Sequence, residues 1–295
     1  MKKYFCFLFV MVIFFNSLIF YGCSNNKINL YDIESSSIIS LELEDYIAGV
    51  VAGEMYNDWP EECLKAQCIL ARTFTMDFLK NKKSKYKGAD ISNDISEAQA
   101  YNVQNINDKI KKAVSDTKGL VIKYDDEYIN AWFHSNSGGI TELATIGLNY
   151  SDENPKYIKS VSSVETKNNS SNFEWEYSFS KSEILKALQS IGISVNSINS
   201  ISAGDKSSSG RLLNIKIDNN FINTNTFRHS IGSTKLKSTL ITSIEVRNDN
   251  IIFKGFGYGH GVGLSQWGSK ILAEQGKDYE YILNYYFDNI KIVKN

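Results

Sequence analysis

What this 295-residue chain lacks narrows its function first. It has no excess of positive charge: 32 Lys and Arg stand against 33 Asp and Glu, a formal net charge of -1, with the basic residues spread along the chain. The electrostatic footprint of a nucleic-acid binder is therefore missing. The four cysteines do not make a disulfide framework. Cys6 lies in an N-terminal apolar run and Cys23 at its edge. Cys63 and Cys68 are five apart on one predicted helix, so they project in divergent directions and are expected to be small buried thiols. No repeat period is visible. In the glycine-rich stretch Gly255–Gly268, the third glycine of G-x-G-x-x-G falls on His260, Val262 or Leu264, which excludes a dinucleotide loop. Ser265 is not a nucleophile elbow, because Trp267 stands where the second glycine would be.

What is present describes a globular protein with an export address. A hydrophobic content of 42% with 22% charged residues is not that of a disordered chain, and the length buries a substantial core in one large or two smaller domains. Lys2 and Lys3 precede an uncharged apolar run from Tyr4 to Gly22, roughly 20 residues and enough to span a bilayer or serve as an export signal. The positive-inside rule then puts the remainder outside the cytoplasm. Phe20-Tyr21-Gly22-Cys23 resembles a bacterial lipoprotein cleavage box, with a bulky Tyr21 and with Phe20 in place of the usual Leu. Residues 1–23 are therefore expected to be either an uncleaved anchor or a signal ending at a lipidated Cys23, and 24–40 a polar stalk.

The folded part is organised around Leu43–Lys80. Leu43, Tyr46, Ile47, Val50 and Val51 form an apolar stripe at helical spacing, and the next residue on that stripe is Glu54. Gly49, Ala52 and Gly53 around it are small and admit close approach by another backbone or a ligand. Asn57, Asp58 and Pro60 stop this helix and start a second, whose buried face is Leu64, Cys68, Ala71, Thr75 and Phe78 with Arg72 beside it. A carboxyl on an apolar stripe has two readings. One is a structural ion pair between Glu54 and Arg72. The other is a general acid whose pKa is raised by desolvation.

Beyond this helix pair, 81–107 reads as a long polar surface loop with a short turn of helix at 96–101. Helices are expected at 108–117, 182–191, 227–232, 264–275 and 279–286, and hairpins at 120–133 and 243–254. Strand-like pieces are expected at 157–163, 175–179 and 212–217. Helices and antiparallel hairpins without regular alternation predict an α+β fold around a central cleft. The domain is expected over 41–290, divisible into lobes of 41–165 with 244–290, and 166–243.

Two segments carry chemistry. Phe133-His134-Ser135-Asn136-Ser137-Gly138-Gly139 ends a strand in small residues and glycines, exposing backbone donors suited to sugar hydroxyls or a developing charge. An ordinary strand-to-helix turn with a structural histidine would look the same. In Gly255–Gly268 the alternating glycines allow close approach, Tyr258 and Trp267 can stack on a pyranose, and His260 and Gln266 can bond its edge. A tight glycine hairpin is the plainer alternative.

Taken in order, the blocks around Glu54, LKAQCILART (Leu64–Thr73), FHSNSGG, GHGVGLSQWG and, more weakly, Phe227–Ser238 resemble the family of stage II sporulation protein D, whose domain is shared with amidase enhancers. The resemblance covers nearly all of Leu41–Phe287. It implies a lytic transglycosylase that cuts peptidoglycan glycan strands already stripped of stem peptides, with the Glu of the A-x-E-M block, here Glu54, as catalytic acid. From the residues themselves, Arg72, His134 and Gln266 are the candidates for orienting sugars or Glu54, and Ser135, Ser137, Gly138, Tyr258, His260, Ser265 and Trp267 complete the expected substrate-binding set. The setting that the resemblance implies is engulfment during endospore formation, beside a cell-wall amidase and membrane proteins of the engulfment machinery. Some members hold zinc through His and Cys near the FHS segment. This chain has His134 but no Cys after Cys68, so neither a metal nor another cofactor is expected.

Overall fold

The structure, a computed structural model, describes residues 27–295. The apolar run and Cys23 lie outside the described residues. Among the described residues no helix is long and apolar enough to cross a membrane. The architecture is mixed α+β, with mainly antiparallel sheets.

The chain opens with a correction. Most of the segment expected to be a stalk is a hairpin of β1 (Lys27–Asp32) and β2 (Ser37–Glu42), in which Leu30 pairs with Ile39. Ile28 and Leu30 are buried against the first helices. Two apolar residues in alternate positions sufficed. Strand β3 (Ile91–Ser92) joins β1 in parallel from the long loop.

Helix α1 (Leu43–Glu54) buries Tyr46, Ile47, Val50 and Val51, and α2 (Glu61–Asn81), entered through Pro60, buries the expected face and both free thiols. Helix α3 (Asp108–Asp116) starts at an Asn107 cap. β4 (Leu120–Tyr124) and β5 (Glu127–Tyr128) then turn through Asp125 and Asp126, both at positive φ as a two-residue hairpin requires. Strand β6 (Phe133–His134) delivers the chain to the FHSNSGG turn, and the one-turn helix α4 (Ala144–Gly147) follows. The piece 157–163 is not a strand. It makes only isolated bridges, Ile158 to Phe287 and Ser162 to Ile140.

A second core holds β7 (Glu174–Ser180), α5 (Lys181–Ser190), β8 (Ile201–Ala203), β9 (Asn214–Ile217), β10 (Asn220–Asn223), α6 (Thr224–Ile231), β11 (Ile241–Arg247) and β12 (Asn250–Phe256). Helix α5 has a capping box between Ser180 and Glu183, so its cap stands ahead of the expected start. The lobe extends past residue 243, because β12 pairs with β7 and sends Ile251 and Phe253 into this core. The chain then returns to the first lobe through β13 (Leu264–Ser265), α7 (Gln266–Glu274), α8 (Tyr279–Tyr286) and β14 (Lys291–Lys294), which pairs with β4. Leu272, Ile282, Leu283 and Tyr286 pack on Ile69 and Leu70 of α2.

Candidate active site

Glu54 ends α1, and its surroundings follow from the two glycines upstream. A Cβ on Gly49 would overlap the ring of Tyr101, and one on Gly53 would lie 2.7 Å from the Tyr101 backbone nitrogen. The loop from 99 to 102 therefore lies flat on the helix. Asn102 N–H donates to the Gly49 carbonyl at 2.9 Å, and Ala100 N–H to Glu54 Oε1 at 2.7 Å. Glu97 anchors this strap by accepting from Ser84 Oγ, Ser92 Oγ and the Lys85 N–H. Burial raises the pKa of Glu54, against which the single Ala100 hydrogen bond acts to lower it. The protonated form thus persists to higher pH than in a solvated carboxyl.

Arg72 is not the partner of that carboxyl. Its guanidinium, 1% exposed, grips Glu44 with Nε at 3.1 Å and Nη2 at 2.6 Å, and Nη1 donates to the Leu120 carbonyl at 2.9 Å. The fork is used up in tying α2 to α1 and β4, so neither an ion pair with Glu54 nor the expected part in orienting a sugar has geometric support.

The tail segment reaches Glu54 through a parallel pairing of β13 with β6, which sets Leu264 beside Phe133 and Ser265 beside His134. Two bonds fix the join. Gln266 Nε2 donates to the Glu54 carbonyl at 3.1 Å, and Trp267 N–H to the Ser135 carbonyl at 3.0 Å. Trp267 meets Trp59 edge-on at 4.9 Å between ring centres, and Tyr56, 60% exposed, leans on Trp59 at 5.3 Å. Next along, Asn136 and Tyr258 exchange backbone hydrogen bonds of 3.0 and 2.7 Å. Glu54, Ser135, Gln266 and Trp267 are thus in one place. His134, Ser137, Gly138, Tyr258, His260 and Ser265 continue from them along the same ribbon.

Three buried charged residues hold this ribbon together, and they did not stand out in the sequence. Glu165 accepts from Ser137 N–H at 2.8 Å, Ser137 Oγ at 2.5 Å, Ser265 Oγ at 2.6 Å and Ser163 Oγ. Ser265 in turn caps α7. Glu142 accepts from Ser207 Oγ and Ser209 Oγ, each at 2.5 Å, and from Leu143 N–H at 2.8 Å. Arg211 donates from Nη2 to the Ser137 carbonyl at 2.8 Å, and Gly261, at φ 83°, is what lets the glycine loop lie on that guanidinium, since any side chain would overlap it. The only signal in the sequence is the run of small hydroxyl residues around these positions.

His134 and His260 face each other with ring centres 5.6 Å apart. His134 Nδ1 lies 3.1 Å from the Val262 carbonyl, which requires the proton on Nδ1, and His260 Nδ1 accepts from Val262 N–H at 3.0 Å. Burial and the Arg211 charge push the His134 pKa down to about 3. Burial, then His134, Arg228 and Arg211, hold His260 well below its ordinary range as well. Both rings are neutral at pH 7. A zinc ion does not fit here, because no third His, Cys, Asp or Glu joins the two rings among the described residues.

Known proteins resemble this chain over most of its length. The family described as stage II sporulation protein matches residues 31–124, the part that carries α1, α2 and the strap over Glu54. Stage II sporulation protein D of Bacillus subtilis is 29% identical over 280 residues, covering 90% of this chain and 78% of that protein. The chain belongs to the family of stage II sporulation protein D. Residues 122–263 also match a domain of unknown function, a block that in this member of the stage II sporulation protein D family holds the FHSNSGG turn and the glycine loop as far as Gly263. An uncharacterized protein of Brachyspira hyodysenteriae is 33% identical over 254 residues, covering 86% of this chain and 67% of its own. An amidase enhancer of Bacillus subtilis is 28% identical over 295 residues, of which the chain spans 39% of the length.

Proposed function

We propose that the protein is a peptidoglycan lytic transglycosylase acting on glycan strands stripped of stem peptides, with Glu54 as general acid and then general base. One observation carries the proposal. Glu54 is a desolvated carboxyl with a single hydrogen bond, standing where the middle and tail segments of the chain converge. Such a group holds a proton to give and, once ionised, is basic enough to take one back.

The reaction balances with one carboxyl. Protonated Glu54 donates to the glycosidic oxygen leaving as the 4-hydroxyl of glucosamine. The glycosidic C–O bond of muramic acid breaks, and the Glu54 carboxylate accepts the proton of the same muramic acid's 6-hydroxyl as its oxygen attacks C1. The product end is a 1,6-anhydro ring. An internal nucleophile is held at high effective molarity, so no second carboxyl is needed to activate water. Glu142 and Glu165 fit that economy, being buried and each engaged by three or more hydroxyl and amide donors. His134 and His260, neutral, serve as hydrogen-bonding groups rather than charges. Tyr258, Gln266, Trp267 and Ser135 bind the strand, over a turn whose Ser137 is buried and held by Glu165 and Arg211.

The names of the Bacillus relatives support a setting in sporulation, and we place the reaction in septal wall remodelling and engulfment, downstream of a cell-wall amidase. The apolar run behind Lys2 and Lys3 supports an extracytoplasmic, membrane-anchored domain. Similarity to an amidase enhancer supports a second reading, in which the same ribbon grips glycan and activates an amidase without cutting. Purified protein given peptide-free strands decides between them. Anhydro-ended products that vanish in Glu54→Gln uphold the lyase, reducing ends would make it a hydrolase, and binding without cleavage would leave the second reading.

A further inference from the structure

We infer that Lys237, held over the ring of Tyr258, is a recognition site for the free lactyl carboxylate of a muramic acid whose stem peptide has been removed. The inference rests on the reading above and adds to it the group that tells a stripped strand from a peptide-bearing one.

Lys237 is half-buried, and its Nζ stands 5.5 Å from the centre of the Tyr258 ring. One of its three N–H groups goes to Asn172 Oδ1 at 2.8 Å. The ring face and the amide together fix where the ammonium sits and leave two donors unused. The lysines around it are differently placed. Lys235 pairs with Glu183 at 3.2 Å, and Lys254 with Glu176 at 3.2 Å and Glu245 at 3.4 Å. No acidic side chain comes within 4.0 Å of Lys237 among the described residues.

The ground beneath it is positive too. Buried Arg228 donates from Nε to the carbonyls of Leu236 at 3.0 Å and Lys237 at 3.2 Å, so its charge is met by carbonyl dipoles and not by a carboxylate. Arg211 is close enough to Arg228 for their charges to interact, and Glu142 and Glu165 offset the Arg211 charge. The backbone locks this cation to the ribbon, since Gly259 N–H donates to the Lys237 carbonyl at 2.9 Å and Tyr258 is laced to Asn136. Lys237 therefore keeps a set position relative to the turn that starts at Ser135, where Trp267 and Glu54 lie.

A stripped muramic acid ends its lactyl arm in a carboxylate, whereas a peptide-bearing one ends it in a neutral amide. An ammonium with two free donors and no acidic partner gains a charge-assisted hydrogen bond from the first and little from the second. With strands of alternating sugars, each muramic acid brings one such group.

The test uses the full chain carrying Glu54→Gln, so that binding is read without turnover. Two probes are compared, peptide-free glycan strands and the same strands with lactyl carboxylates converted to methylamides. The expected result is binding about tenfold tighter to the carboxylate strands. Adding Lys237→Met should erase that preference while leaving methylamide binding and the thermal melt unchanged, and Lys237→Arg should keep most of it. Equal affinity for the two strands, or a Lys237→Met loss shared equally by both, overturns the inference. A chain with Glu54 intact that shows the preference but yields no anhydro ends overturns the proposed reaction and leaves this site standing.

Discussion

Glu54 and Glu165 are both taken out of water, yet they are built to opposite ends. Around Glu165 four donors from the middle and tail segments converge, and the carboxyl group clamps those segments together. Around Glu54 there is one donor, from a loop laid over two glycines. Burial alone therefore does not mark the reactive carboxyl. The supply of donors does: the carboxyl that ties several donors together is structural, and the one left with a single donor is available for proton transfer.

The sharpest break in this comparison is at Glu54 itself. Glu54→Gln should lower cleavage of peptide-free strands by about a thousandfold or more while the protein stays folded and still binds glycan, as product analysis and sedimentation with strands will read. At the clamp the effect should be on stability instead. Glu165→Leu strands four buried donors and should cost about 3–5 kcal/mol in denaturant unfolding, with Arg72→Met, which leaves Glu44 unpaired, costing about 3 kcal/mol. A folded, stable Glu165→Leu protein would sink the clamp.

A subtler change sharpens the contrast. Gly53→Ala pushes the backbone at Ala100 and Tyr101 away and removes the one bond that lowers the Glu54 pKa. The basic limb of the pH–rate profile should then move to higher pH, because the acid form survives longer. Stability also changes with pH, and the two kinds of group differ in sign. The folded pKa of Glu54 is raised, so the unfolded chain ionises first and wild type loses stability as pH rises from about 4.5 through the folded value; Glu54→Gln should not show that loss. His134 is depressed to about 3, so its contribution is present above about 6.5 and is lost as pH falls toward 3. Thermal melts across pH 4 to 8 check both.

Much of this was legible before any coordinates. The stripe ending in Glu54, the break at Pro60, the Asp125-Asp126 turn and the closing helices all follow from local periodicity and turn chemistry. So do the two motif segments, whose glycines and small polar residues have no use in a core. The opening hairpin was not legible, because its apolar residues do not sort by face: Ile28 and Leu30 are buried while Ile33, Ile38 and Ile39 are exposed. Neither was the partner of Arg72: a guanidinium beside a helix face can reach any neighbouring carboxyl, and Glu44 competes with Glu54 only once the helices are packed.

The amino-acid sequence by itself determined which residues belong to a buried helix stripe, where the chain turns, and that a carboxyl, two imidazoles and a glycine ribbon are its chemical stock. Those are properties of a few neighbouring residues. Only the tertiary structure decided that Glu54 has a single donor while Glu142 and Glu165 each gather several, and that Gln266 and Trp267 come to Glu54 from more than two hundred positions away. The reason is that a hydrogen bond is a pairing in space, and its donors arrive from loops whose paths no local pattern encodes.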